Sequence, residues 1–198
     1  MSERTEYGTV AELGALLRRL HELEGPSSLG LPELLPFGGA EQRIAQADLS
    51  GDDQRFLRDR MADLRARYAA LEFVLPAGPV HGDANVGNIL RRQADGVAVL
   101  IDLDGFVAGP RERDLTLTAM YFERFGWHTA EEYAAFAEIY GFDVMAWPGY
   151  RVLADIKELT MVTWLAQNVG ESPEIAAEVS KRIADLRDGG GRRDWAPY

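Results

Sequence analysis

The stretch Val80-His81-Gly82-Asp83-Ala84-Asn85-Val86-Gly87-Asn88-Ile89-Leu90, continued by Val97-Ala98-Val99-Leu100-Ile101-Asp102-Leu103-Asp104, decides how this chain is read. Two short apolar runs, Ile89-Leu90 and Val97 to Ile101, flank Ala94-Asp95-Gly96, a hairpin turn signal. The second run is apolar at consecutive positions, as expected of a strand covered on both faces. Asp83 follows His81 by two positions, Asn88 follows Asp83 by five, and the hairpin then delivers Asp102. A carboxylate to accept the proton of an attacking hydroxyl, and an amide oxygen with a second carboxylate to hold Mg²⁺ against phosphates, are the groups phosphoryl transfer requires.

On the amino-terminal side the pattern is helical. Thr9-Val10-Ala11-Glu12 reads as a capping box, and Leu13, Leu16, Leu17 and Leu20 recur at helical spacing until Gly25-Pro26. Residues 26–40, with Pro26, Pro32 and Pro36, read as an ordered loop. Ser50-Gly51-Asp52-Asp53 opens a second helix with the stripe Phe56, Leu57, Met61, Leu64, Tyr68 and Leu71, closed by Pro76. On the carboxy-terminal side, the loop from Gly109-Pro110 leads into helices at about 114–125, 130–140, 148–169 and 173–187, and Gly189-Gly190-Gly191 releases a polar tail. No repeat and no interdomain linker is visible. The expectation is one domain over 1–198, with 1–7 and 188–198 as flexible tails.

With 198 residues, 46% hydrophobic and 10% aromatic, the chain carries a globular composition. A domain of this size buries roughly 70% of the surface its unfolded chain exposes. Cysteine is absent, which excludes disulfides and thiolate metal sites. His21, His81 and His128 lack metal-ligand spacing. The charged start Met1 to Glu6 has no apolar signal core, and no apolar run reaches the ~20 residues of a membrane span, so a cytoplasmic protein is expected. A net charge of −11 argues against nucleic acid as partner and suits a cationic small molecule, although acidity also serves solubility.

The block His81-x-Asp83-x-x-x-x-Asn88, with Ile101-Asp102-Leu103-Asp104 after the hairpin, resembles the aminoglycoside phosphotransferase and choline kinase family, which shares the protein-kinase fold. Gly109-Pro110-Arg111-Glu112-Arg113-Asp114-Leu115 is similar to the family's following loop and helix start, and Leu13 to His21 to its first helix after the hinge. The resemblance covers the carboxy-terminal lobe only. It implies an α+β, mostly α, kinase-like lobe with one small hairpin at the catalytic site and the N-terminal lobe missing. It also implies Mg²⁺ with ATP, or GTP, as cofactor and donor. The family's lysine that pairs the nucleotide phosphates has no counterpart here, because Lys157 and Lys181 are the only lysines and both lie downstream of the motif.

Within that resemblance Asp83 is the general base or hydroxyl-orienting group, and Asn88 and Asp102 are the metal ligands. Each also has a plainer reading: Asp83 and Asp102 as caps on backbone amides, and Asn88 as a turn residue. Asp104 is a second ligand, a substrate contact or a solvated carboxylate. His81 ties the loop together by hydrogen bonds, and Asp114 caps the following helix or braces the loop. Asp155 and Glu158, at i and i+3 on one helix, share a face and are candidates for a substrate amine, or are paired surface acids. Trp127, Trp147 and Trp164 are core or pocket wall, and the pairs Arg18-Arg19, Arg91-Arg92 and Arg192-Arg193 are expected in solvent. Two functions follow. One is transfer of the γ-phosphoryl group to a hydroxyl of a small, cationic, aminoglycoside-like or choline-like acceptor, with a second copy or partner chain covering the face of the missing lobe. The other is a non-catalytic binding module built from the same lobe.

Overall fold

The computed structural model describes residues 7–23 and 30–196. Its elements run α1 (Val10–Glu22), α2 (Ala40–Gln46), α3 (Gly51–Ala69), β1 (Gly78–Val80), β2 (Ile89–Arg91), β3 (Ala98–Leu100), β4 (Val107–Gly109), α4 (Glu112–Glu123), α5 (Ala130–Tyr140), α6 (Tyr150–Ala166) and α7 (Pro173–Asp188). The chain forms two compact units, each made of two separated stretches: 1–34 with 73–150, and 35–72 with 151–198. Because each unit is discontinuous in sequence, no composition break marks the division.

The first unit contains the opening motif. Thr9 caps α1: its hydroxyl accepts from Glu12 N, while the Glu12 carboxylate accepts from Thr9 N at 2.8 Å, so two orphan amides are satisfied reciprocally. The helix buries Leu13 and Leu17, each stabilising by about 2 kcal/mol. It packs along α5, closely enough that a Cβ on Gly14 would sit 3.0 Å from the Phe136 carbonyl oxygen. The expected stop at Gly25-Pro26 lies outside the described residues. α5 has its own capping box, Thr129 with Glu132, and ends at Gly141 in the left-handed conformation.

The expected hairpin is present, with β2 antiparallel to β3 in the register Ile89 to Leu100 and Arg91 to Ala98. It is not the only ladder. β1 pairs antiparallel with β4, Val80 opposite Val107, and Leu34 N donates to Ala108 O alongside it. The sequence reading has no strand at 78–80 or 107–109, because this pairing spans nearly thirty residues and each strand has only three, too few for a periodic signal. The hairpin also lacks the two-sided cover its apolar run implied. Ala98 to Leu100 are half-buried and Val97 is 44% exposed, as a two-stranded ribbon leaves them.

In the second unit α3 buries Leu57, Met61 and Leu64 but ends at Ala69, well before Pro76. α2, absent from the sequence reading, is seven residues long with glycine as its cap and only Ala40 and Ile44 buried. The tail expected to be flexible packs back at Trp195 within the described residues 190–196. Trp195 is 2% exposed, its indole N–H donates to Asp185 at 2.8 Å, and the Arg182 guanidinium lies over its ring. No helix among the described residues is long and apolar enough to cross a membrane.

Candidate active site

The loop after β1 is held from below by one buried carboxylate. Asp114, 1% exposed, accepts from His81 N at 2.7 Å through Oδ2 and from Gly82 N at 2.9 Å through Oδ1. Asp114 lies inside the first turn of α4, whose N-cap is Arg111, so its carboxylate serves the loop and does not cap the helix. The His81 ring is fully buried, with Nε2 2.9 Å from Ile101 O and Nδ1 accepting from Asp83 N at 3.4 Å. Gly82 has φ of 86°, and a Cβ there would collide with the Gly105 carbonyl oxygen. Residues 81–83 are thereby laid against 101–105.

Asp83 is exposed at the top of this loop. Two asparagines close around it. Asn85 Nδ2 donates to Asp83 O at 3.0 Å while its Oδ1 accepts from Gly87 N at 2.8 Å, and Asn88 Nδ2 donates to Asp83 O at 2.9 Å. Asn88 thus uses its nitrogen on the backbone, and its Oδ1 has no hydrogen-bond partner among the described residues. Ile101 N donates to Asn88 O at 3.0 Å, which sets Asp102 beside Asn88. Asn85 was not singled out from the sequence. Its signal is the spacing Asp83-x-Asn85-x-Gly87, a side-chain turn closing on the backbone two residues on.

Asp102 has φ of 59° and ψ of 61°, the only non-glycine residue with positive φ among those described. This conformation costs roughly 1–2 kcal/mol for an L-residue. No capping hydrogen bond from its side chain repays that cost, which excludes the plainer reading of Asp102 as an amide cap. Asp104, in the exposed turn Leu103–Gly105, likewise makes no hydrogen bond or ion pair among the described residues. An amide oxygen and a carboxylate, both hard donors and both uncommitted, are a set that fits a divalent cation completing its shell with phosphate and water.

An aromatic group gathers at the end of α4. Burial, and then the charge of Asp83, push the Tyr121 phenol up to about 12, so the ring lies within electrostatic reach of that carboxylate. Trp127 stacks on Phe125 with ring centres 4.8 Å apart, leans on Tyr121 at 4.9 Å, and remains 38% exposed. His128 Nε2 is buried with no hydrogen-bond partner among the described residues, and burial lowers that ring's pKa. Trp147 is core, packed against Phe73, while Trp164 is about half exposed.

Asp155 and Glu158 belong to the other unit. Glu158 is fully buried and meets Arg192 through two hydrogen bonds, Nε to Oε1 at 3.0 Å and Nη2 to Oε2 at 3.1 Å. Asp155 pairs with Arg67 at 3.3 Å. The two acids are therefore not a matched surface pair, and each already holds a cation of its own unit. Arg192 and Arg91 are not solvated either, since Arg91 pairs with Glu12 at 2.8 Å in a half-buried site.

The chain belongs to the phosphotransferase enzyme family, whose model matches residues 1–156. Comparison with curated protein sequences gave no match. Among solved structures, an amicoumacin kinase in complex with AMP-PNP, Ca²⁺ and its ligand superposes with a TM-score of 0.72 at 16% identity, covering 98% of this chain and 65% of that one. A choline/ethanolamine kinase family protein from Mesorhizobium loti gives 0.63 at 17% identity, with 90% and 61% covered. An ethanolamine kinase from Plasmodium vivax gives 0.66 at 14% identity, with 93% and 62% covered. At such identities the likeness shows the fold: mostly helical and kinase-like. The chain spans less than two thirds of the length of these three proteins.

Proposed function

We propose that the chain forms the metal- and acceptor-holding part of an ATP-dependent phosphotransferase that acts on a hydroxyl of a small cationic molecule. The observation that carries this reading is the uncommitted donor set: Asn88 Oδ1 and the strained Asp102 carboxylate, joined through the Ile101 to Asn88 hydrogen bond and set beside Asp83. A bound Mg²⁺ would be held by Asn88 and Asp102 and would neutralise phosphate charge. Asp83 orients the acceptor hydroxyl and takes its proton as the oxygen bonds to the γ-phosphorus. The bond from that phosphorus to the β–γ bridging oxygen breaks, ADP leaves, and Asp83 returns the proton to solvent. The aromatic edge of Trp127 and Tyr121 supports a cationic acceptor, because a ring face attracts an ammonium group by roughly 0.5–2 kcal/mol. The net charge of −11 favours the same class. ATP as donor suits a cytoplasmic setting.

A second reading, a binding module without turnover, draws on the absence of any lysine among residues 1–80. Calorimetric titration of the chain with ATP, with and without Mg²⁺, separates the two. Mg²⁺-dependent binding that weakens at least 10-fold in Asp102→Asn is the expected result. No heat at millimolar ATP means that this chain alone is not a kinase.

A further inference from the structure

The brace beneath the catalytic loop does not end at Asp114. His21 of α1, nearly fully buried, places Nε2 3.0 Å from Asp114 Oδ2 and Nδ1 2.7 Å from the Tyr140 hydroxyl on α5. Proton positions along this chain follow from the partners. Backbone amides only donate, so both Asp114 oxygens accept, and His21 Nε2 must carry the hydrogen that meets Oδ2. The remaining ring nitrogen, Nδ1, meets the Tyr140 hydroxyl. Burial raises the Tyr140 phenol, which keeps its proton in place. At the far end His81 Nδ1 accepts from Asp83 N, so His81 Nε2 donates to Ile101 O. The bonds from His21 Nε2 and from the His81 and Gly82 amides converge on Asp114, and His81 carries the connection on to Ile101.

We propose that Tyr140 and His21 are positioning residues of the active site: they orient Asp114 and, through the backbone at 81–82 and 101, fix Asp83 and Asp102. The inference rests on the function proposed above. Asp83 and Asp102 are exposed, so packing contributes little to their placement, and a displacement near 1 Å at reacting groups costs about 100-fold. The buried Tyr140 hydroxyl meets His21 Nδ1, so its influence on the loop runs along this chain of bonds.

Tyr133 supplies the control. It lies on the same helix, is buried, and donates to Asp143 at 2.6 Å, with no hydrogen bond to the loop among the described residues. Tyr140→Phe and Tyr133→Phe each delete one buried hydroxyl and should lower the melting temperature by similar amounts. Only Tyr140→Phe should weaken Mg²⁺-dependent ATP binding, by roughly 10-fold, the lower end for groups that orient metal ligands. His21→Gln, whose amide offers one donor and one acceptor, should retain more affinity than His21→Leu. Equal ATP affinity in the two tyrosine variants overturns the proposal. If the unmodified chain binds no Mg²⁺–ATP, or Asp102→Asn binds it equally well, the proposed function fails instead. The positioning role is then judged by amide hydrogen exchange at His81 and Gly82. Faster exchange in Tyr140→Phe than in Tyr133→Phe sustains it, and equal exchange overturns it.

Discussion

Carboxylates around residues 81–104 of the first unit and against residues 192–196 of the second are used differently. In the second, Glu158 is locked to Arg192, and Glu178 accepts from both Arg182 Nε at 2.7 Å and Ala196 N at 3.0 Å. Asp185 accepts from Trp195. These acids fasten the chain end to α6 and α7. In the first unit Asp114 does the same for the catalytic loop, but Asp102 and Asp104 stand exposed with no partner among the described residues, Asp102 at a backbone cost. Buried charge without a partner is expensive, so a fold pairs it. Exposed charge held in a strained conformation has no such explanation in stability. Under the function proposed above, the contrast separates acids that hold the fold from acids offered to a ligand.

The sharpest way to break that contrast is Asp83→Asn. Loss of a positioned base should lower transfer roughly 10²- to 10⁴-fold in an acceptor assay, with circular dichroism and melting temperature unchanged. A variant with full turnover sinks the base role. Glu158→Leu should do the reverse. It leaves the Arg192 guanidinium, 13% exposed, without its carboxylate, and chemical denaturation should show a loss of about 3 kcal/mol. Mg²⁺-dependent ATP affinity of the folded variant should stay as it was, and a loss there would mean that Glu158 serves the ligand after all.

The smallest effect concerns His128. Its pKa is depressed chiefly by burial, so in the folded chain it resists the proton that the unfolded chain takes up near pH 6.5. The unfolded state therefore binds more protons as pH falls through that value, and stability falls with it. The difference in melting temperature between pH 7.5 and 5.5 should be smaller in His128→Gln than in the unmodified chain. Identical pH dependence would show that the buried imidazole is protonated in place.

Much of the site was legible because its residues are close in sequence. Asp83, Asn88 and Asp102 fall within one loop and one hairpin, where spacing alone implies proximity. The α1 capping box needs only Thr9 and Glu12, and α5 and α7 begin where the sequence pattern put them. What was misread is non-local. Trp195 and Arg192 read as a polar tail because their partners, Arg182, Asp185 and Glu158, lie on helices that sequence distance does not connect to them. Asp155 and Glu158 read as candidates for a substrate amine or as a surface pair because helical spacing gives a shared face but not what covers it.

By itself the sequence determined the family, the order of every helix but α2, the hairpin and the identity of the metal and base candidates, since each depends on contacts within a few residues or on a motif. Tertiary structure decided which of those groups are already engaged. It turned Asn88 so that its nitrogen holds Asp83 O, and it placed Asp102 at positive φ without a cap. It also ran a chain of bonds from Tyr140 through His21 to Asp114. Hydrogen bonds between side chains far apart in sequence form only after helices pack, and no local pattern encodes their direction.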